Sequence, residues 1–273
     1  MISFPNAKIN LGLNIIRKRA DGYHDLETVF YPVLGLRDAL ETVHGNTGDG
    51  ALSFTYSGLE IAGDTGHNLC SKAYHLLKKD FPELPALQMH LHKVIPMGAG
   101  LGGGSADGAF TLRMLNQQFG LGLSETALIS YALTLGSDCP FFIINKACYA
   151  TGRGEQLENI TVDLSTYRFV LINPGIHVPT GWAFSQIHPD TPLQHCKNII
   201  QQPVETWPGV LTNDFEKPVM QAFPDIQAIK EQLYQQGALY AAMTGTGSTV
   251  YGIFSKNTSL SFDFPDHYYI YQG

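Results

Sequence analysis

Five glycines stand within the seven residues Gly98-Ala99-Gly100-Leu101-Gly102-Gly103-Gly104, and Ser105 follows them. Glycines let successive backbone N–H groups turn toward one point, and a helix opening after such a turn adds the positive end of its dipole. The chemistry this suits is phosphate binding, with the Ser105 hydroxyl as a further ligand to phosphate or to a bound metal. Positions 98, 100 and 103 fit G-x-G-x-x-G. A dinucleotide site, however, wants an acidic residue ending a strand about 20 residues on, and here that span reads as helix and turn. No G-K-[ST] follows, which excludes a Walker loop, and no H-R-D or D-F-G occurs, which excludes a protein kinase. Gly103 is where an added side chain is expected to intrude on the phosphates.

Lys8 lies on an otherwise apolar or small-residue segment, and Asn10, two residues on, shares its strand face. Asp138 follows Gly136 and precedes Pro140 and four apolar residues. Taken alone, Lys8 reads as a surface lysine, Asp138 as a turn or cap carboxylate, and Tyr23-His24 as a solvated loop pair. His90 and His92 would share a strand face as two zinc ligands do, but no third ligand stands at a telling spacing, so they read as exposed polar-face histidines.

These residues need elements to hold them. Ala7 to Ile15 alternates as a half-buried strand, and Glu27 to Leu36 reads as a second, broken at Pro32. Asn68 to Lys79 has helical periodicity. Leu87 to Ile95 alternates again, stops at Pro96, and leads through the glycines into a helix ending at Gly120. Ser124 and Glu125 open another helix that ends near Gly136, and Phe141 to Ile144 reads as a buried strand. In the second half, Arg168 to Ile172 is a short strand closed by Asn173-Pro174-Gly175, and Thr180 is placed as the cap of a short helix through Trp182 and Phe184. Residues 188–210 read as irregular and Pro224 to Gln236 as a helix. Ala238 to Met243 and Thr249 to Phe254 read as strands around Gly245-Thr246-Gly247-Ser248. The class is α+β in two lobes, 1–154 and 155–273.

The chain has 273 residues with 44% hydrophobic and 15% charged content, enough for a real core and unlike a disordered chain. A net charge of −7 argues against a nucleic-acid partner, while leaving room for an anion at a local site. The four cysteines form no C-x-x-C pair and read as reduced thiols. No signal peptide and no membrane span are expected, which places the protein in the cytoplasm.

With P-M-G-A-G-L-G-G-G-S-A-D at 96–107 in view, the chain resembles the GHMP kinase superfamily. Ala7-Lys8-Ile9-Asn10-Leu11, Arg19 to His24, Gly136 to Phe142 and Gly245 to Ser248 occur in the family's order. The D-G-Y-H segment and the triple glycine resemble its branch that phosphorylates a cytidylyl-bearing alcohol in the non-mevalonate isoprenoid pathway. The resemblance implies an N-terminal lobe like domain 2 of ribosomal protein S5, carrying ATP, and a ferredoxin-like C-terminal lobe on the substrate side. It implies ATP and Mg²⁺ as cofactors and a small cytidylyl molecule as partner. It implies Asp138 as general base with Lys8 beside it. ATP contacts fall on Pro96, Met97, Gly98, Ala99, Gly100, Leu101, Gly102, Gly103, Gly104, Ser105 and Ala106, with Asn68 and Lys93 near the nucleotide. Asn10, Tyr23, His24, Thr180 and Phe184 fall at the substrate. Gly108, Cys139 and Thr246 depart from the family's usual Ala, Val and Ser, and Gly108 is expected only to weaken the first turn of its helix. The alternatives are a GHMP kinase for mevalonate, homoserine or a sugar, and a non-catalytic nucleotide-binding regulator. Tyr23-His24 speaks against the first, and intact Lys8 and Asp138 against the second.

Overall fold

The computed structural model describes residues 1–45, 52–60 and 68–273. The first half runs β1 (Ile2–Ser3), β2 (Asn6–Lys18), β3 (His24–Arg37), β4 (Ala39–His44), β5 (Leu52–Gly58), α1 (Leu69–Asp80), β6 (Leu87–Lys93), α2 (Gly103–Phe119), α3 (Glu125–Leu135) and α4 (Cys139–Ile144). The second half runs β7 (Cys148–Thr151), β8 (Gln156–Asn159), β9 (Tyr167–Asn173), α5 (Thr180–Ser185), α6 (Cys196–Ile199), a 3-10 turn at Val204–Thr206, α7 (Glu216–Ala222), α8 (Pro224–Gln235), β10 (Tyr240–Met243), β11 (Val250–Ser255) and β12 (Tyr269–Gln272).

The chain forms two compact units that interleave in sequence. The first is Met1–Ala7, Pro32–Met97 and Gly102–Lys146; the second is Lys8–Tyr31, Gly98–Leu101 and Ala147–Gly273. In the first, a sheet of order β1-β4-β6-β5 pairs β5 with β6 in parallel and its other neighbours antiparallel. Leu40, Met89 and Leu91 from that sheet pack with Cys70 of α1 and Met114 of α2. Asn68 caps α1, its side chain accepting from the Ser71 N–H at 2.8 Å. A Cβ on Gly108 would lie 2.9 Å from the Leu69 Cβ. That glycine therefore admits α1 against α2, a packing role beyond the weakened helical turn expected of it.

The second unit holds the β10-β11-β9-β12 sheet, antiparallel throughout, and the sheet of order β2-β3-β7-β8. Its core joins Leu13 and Ile15 of β2, Val170 and Ile172 of β9, Val219 of α7 and Ile226, Ile229 and Leu233 of α8. Among the described residues no helix is long and apolar enough to cross a membrane, and all four cysteines are buried free thiols.

Several expectations are corrected. Ala7 to Ile15 is buried on both faces, not half-buried. β3 runs through Pro32 without a break; β7 pairs only with Thr28–Phe30, so the missing proline N–H falls beyond that ladder. Phe141–Ile144 is helical, since a short buried apolar run fits either period. Pro140 is the second residue of that helix, in its first turn, and Asn145, at φ 52°, ends it in the left-handed region. The cap of α5 is Pro179, with no side-chain bond, instead of Thr180. Residues 188–210 contain α6 and the 3-10 turn. β4, β5, β7, β8, α7 and β12 had no clear sequence signal.

Gly12 shows how tightly β2 is held. Its φ is +71°, and a Cβ there would stand 2.7 Å from Leu211 Cδ1 and 3.0 Å from Cys196 Cβ. Gly12→Ala should destabilise the protein by roughly 2–4 kcal/mol, combining left-handed strain with overpacking; urea unfolding of the two proteins checks this, and a loss below about 1 kcal/mol would show that the strand yields at this point.

Candidate functional site

The glycine loop joins β6 to α2. Gly98, Gly100 and Gly102 have φ of +64°, +77° and +70°. Ala99 and Leu101 between them stay at ordinary negative φ, so the backbone alternates in hand and turns its N–H groups inward. Gly102 is the cap of α2, a helix with no acidic residue in its first turn, so nothing there competes with an anion for its N–H groups.

The helical half of the loop belongs to the first unit. Gly103 has no left-handed φ, and a Cβ on it would point inward, 2.9 Å from Ile95 Cγ2 and 2.9 Å from Lys93 Nζ. The expectation that it keeps space for phosphates is corrected: it lets α2 sit down on β6. Gly104 is the open position, where a Cβ would meet nothing nearer than Met97 Cε at 3.8 Å. Ser105 bonds to the Cys139 thiol, whose pKa burial pushes up to about 12. That contact ties the first turn of α2 to the turn bearing Asp138. Asp138 is the cap residue of α4, yet its side chain makes no capping bond, so it is not the cap carboxylate its context suggested.

Lys93 is wholly buried rather than open to a ligand. Its ammonium donates to Asp38 Oδ2 at 2.5 Å and Asp107 Oδ2 at 2.7 Å. Burial lowers its pKa, but Asp107 and Asp38 outweigh that and hold it charged. Neither aspartate was singled out from the sequence.

In the second unit Lys8 and Asn10 do share one strand face, and both are buried, at 3% and 2% exposure. Lys8 Nζ donates to Asn10 Oδ1 at 2.7 Å and lies 5.0 Å from the Phe30 ring centre. Asn10 Oδ1 also accepts from Thr244 Oγ1 and the Gly245 N–H, and Asn10 Nδ2 donates to Thr28 Oγ1 at 2.9 Å. The Asn10 side chain thus orients the ammonium and anchors the 244–248 loop.

That loop links β10 to β11 and approaches Gly100 backbone to backbone. A Cβ on Gly100 would stand 2.1 Å from the Thr244 carbonyl oxygen. The loop is braced by Asn213, whose Nδ2 donates to the Met243 and Gly245 carbonyls at 2.8 and 2.9 Å. Asp214 accepts from the Ile15 N–H at 2.7 Å, and Glu216 from the Met243 N–H at 2.7 Å. The sequence marks this N-D-F-E run only by two short polar side chains, Asn213 and Asp214, shortly ahead of α7.

His24 and Phe184 come together as stacked rings, 4.9 Å apart and 24° from parallel, with Phe215 edge-on behind Phe184. Thr180 opens the same helix α5 and is exposed. Tyr23 is 56% exposed, and the Arg153 guanidinium lies 4.8 Å from its ring centre; Arg153 had not been considered. Burial first, then Lys18, lowers the His24 pKa, so its imidazole is neutral at pH 7 and offers one donor and one acceptor. On β6 His92 is exposed but His90 is only half-exposed, and both ring systems bond to Ser57 on β5.

Comparison with known proteins matches residues 68–146 to the family described as GHMP kinases N terminal domain and 202–261 to GHMP kinases C terminal. A protein of Bacteroides fragilis named 4-diphosphocytidyl-2-C-methyl-D-erythritol kinase is 50% identical over 266 residues, 96% of each chain. The crystal structure of a 4-(cytidine 5'-diphospho)-2C-methyl-D-erythritol kinase superposes with a TM-score of 0.77 at 29% identity, covering 93% of this chain and 90% of that one. The Methanococcus jannaschii mevalonate kinase shares the fold, with a TM-score of 0.70, 12% identity and coverage of 100% and 97%.

The open Cβ direction at Gly104 makes it the place to test the loop. Gly104→Val should weaken ATP binding at least about tenfold while leaving the melting temperature nearly unchanged. Calorimetric titration of ATP into the folded variant measures this, and unaltered affinity would remove the loop from nucleotide binding.

Proposed function

On the premise that the chain belongs to the GHMP kinases and, within them, to the 4-diphosphocytidyl-2-C-methyl-D-erythritol kinases, we propose that it transfers the γ-phosphoryl group of ATP to the 2-hydroxyl of 4-diphosphocytidyl-2-C-methyl-D-erythritol. The observation that carries this reading is 50% identity across 96% of both chains. It makes the protein an ATP-dependent phosphotransferase of the isoprenoid pathway.

The roles of the residues belong to the same proposal. Asp138 accepts the acceptor hydroxyl's proton as that oxygen attacks the γ-phosphorus and the bond to the departing ADP breaks. Lys8, held by Asn10, keeps charge balanced during the transfer. The loop from Pro96 to Ala106 supplies backbone donors to the phosphates, already oriented before ATP arrives. Tyr23 takes the cytosine by stacking, which contributes about 1–3 kcal/mol per base, and His24, stacked on Phe184, by polar contact to the base. Thr180 stands at the same substrate. In this reading residues 1–154 form the ATP-binding lobe, which also contributes Tyr23 and His24 to the substrate, and 155–273 form the substrate-side lobe.

Mg²⁺ enters with the nucleotide in this reading. A kinase Mg²⁺ is bound mainly by phosphate oxygens and water, with one or two protein oxygens, and the Ser105 hydroxyl at the first turn of α2 is the donor this chain offers. When bound, the ion neutralises the charge that develops on the phosphates.

ATP consumption measured with the cytidylyl substrate, mevalonate and homoserine tests the assignment; turnover of either of the latter two without the first would overturn it. Asp138→Asn should lower kcat by about 10²–10⁴ with little change in binding of either substrate. Lys8→Met should also lower kcat, and the double variant should lose far less than the product of the single losses. His24→Ala should raise KM for the cytidylyl substrate and leave ATP affinity alone. Equal losses for both ligands would assign His24 to the scaffold.

A further inference from the structure

Tyr23 stands on the turn between β2 and β3, and that turn is closed by its own residues. The Arg19 N–H donates to the Tyr23 carbonyl at 2.8 Å, and Asp21 Oδ1 accepts from the Tyr23 N–H at 3.1 Å. The Arg19 guanidinium donates to Asp21 Oδ2 at 2.9 Å and to Asp25 Oδ1 at 2.8 Å. The main chain of Tyr23 is therefore fixed on both sides, while its side chain projects with 56% exposure.

An exposed phenol ring is free to turn about its side-chain torsions, and a base that stacks on it must first bring it to rest. Among the described residues no hydrogen bond holds the Tyr23 hydroxyl, and the group that lies over its ring is the Arg153 guanidinium, 4.8 Å from the ring centre.

Arg153 comes from the turn between β7 and β8, in the same compact unit as Tyr23. That turn is itself anchored. The Gly154 N–H donates to the Thr151 carbonyl at 3.1 Å, Gly152 takes a φ of +68°, and the Arg153 N–H donates to Glu155 Oε2 at 2.6 Å. The Gly152 carbonyl accepts from the Leu26 N–H of β3 at 2.8 Å, which ties the two turns together just beyond Tyr23. Among the described residues the guanidinium forms no hydrogen bond or ion pair, so its planar charge is given to the Tyr23 ring. Its charge also reaches the same turn: the Asp21 carboxyl is held below the usual carboxylate range, first by its bond to Arg19 and last by Arg153.

On the proposed stacking of the cytosine on Tyr23, we infer that Arg153 is a positioning residue for the substrate: it covers one face of the Tyr23 ring and presents the other to the base. A cation over a tyrosine face is attracted by the ring's quadrupole, and the flat guanidinium can lie along it as an ammonium cannot. The ring is then held before the substrate arrives, and less freedom is lost on binding. Arg153 touches no reacting atom, so its effect falls on affinity for the cytidylyl substrate and not on the transfer step.

Arg153→Met keeps an apolar stem and removes the charged plane. Steady-state kinetics should show KM for the cytidylyl substrate raised about two- to fivefold, the range of an exposed pair of this kind, with kcat and KM for ATP unchanged. The same substitution is then placed on Tyr23→Phe and on Tyr23→Ala. On Tyr23→Phe, which keeps the ring, the rise should persist; on Tyr23→Ala, which removes it, the rise should vanish. A rise of the same size on Tyr23→Ala would show that Arg153 acts on the substrate or the scaffold and not through the ring, and overturns the inference. So does an unchanged KM in Arg153→Met when Tyr23→Ala is itself impaired, and in both cases the cytosine assignment of Tyr23 stands. If Tyr23→Ala has the wild-type KM for the cytidylyl substrate, or the wild-type protein does not turn that substrate over, the reading of the site fails and this inference with it.

Discussion

Burying an ammonium obliges a fold to surround it with acceptors, because the charge loses its water on the way in. This chain does so twice, with Lys8 and Lys93 at 3% and 1% exposure. In one unit the obligation is met by Asn10, an amide whose single oxygen gathers the ammonium, the Thr244 hydroxyl and the Gly245 N–H. In the other it is met by two carboxylates. Each solution draws together elements distant in sequence: β2 with the β10–β11 loop, and β6 with α2 and the start of β4. Breaking one partner of such a set would leave a buried charge unmatched, which is costlier than never having buried it.

The glycines near these ammoniums serve close backbone approach as much as conformation. Gly100 lies so near the Thr244 carbonyl that no Cβ fits, and Gly245 approaches Gly100 in return, its Cβ direction ending 3.1 Å from that Cα. Gly98, Gly100 and Gly102 add the left-handed φ values that turn the loop. Gly103 does neither of these, and clears room for Ile95 and Lys93 beneath α2. Four glycines of one motif thus answer to three different requirements.

Around the substrate-side residues the same economy holds. His24 and Phe184 are fixed by stacking on one another and on Phe215. Asn213, Asp214 and Glu216, contiguous in sequence but for Phe215, hold the 244–248 loop, β2 and β10 through main-chain bonds. Bonds to backbone atoms fix position without regard to neighbouring side chains, which suits residues whose task is to hold a loop still.

The sequence by itself determined what depends on local chemistry. The glycine loop between a strand and a helix, the helices of α1, α2, α3 and α8, and the family's ordered motifs were legible, because glycine content, caps and apolar periodicity act within a few residues. Tertiary structure decided what depends on partners far along the chain. Lys8, read from its neighbours, is a surface lysine, yet both faces of β2 are covered. Lys93 reads as a nucleotide contact until Asp38, 55 residues away, and Asp107, 14 away, are seen to claim its ammonium. Phe141–Ile144 reads as strand or helix alike, since a run buried on every side has no polar face to show its period. Burial and long-range pairing are properties of the assembled chain, and no window of a few residues contains them.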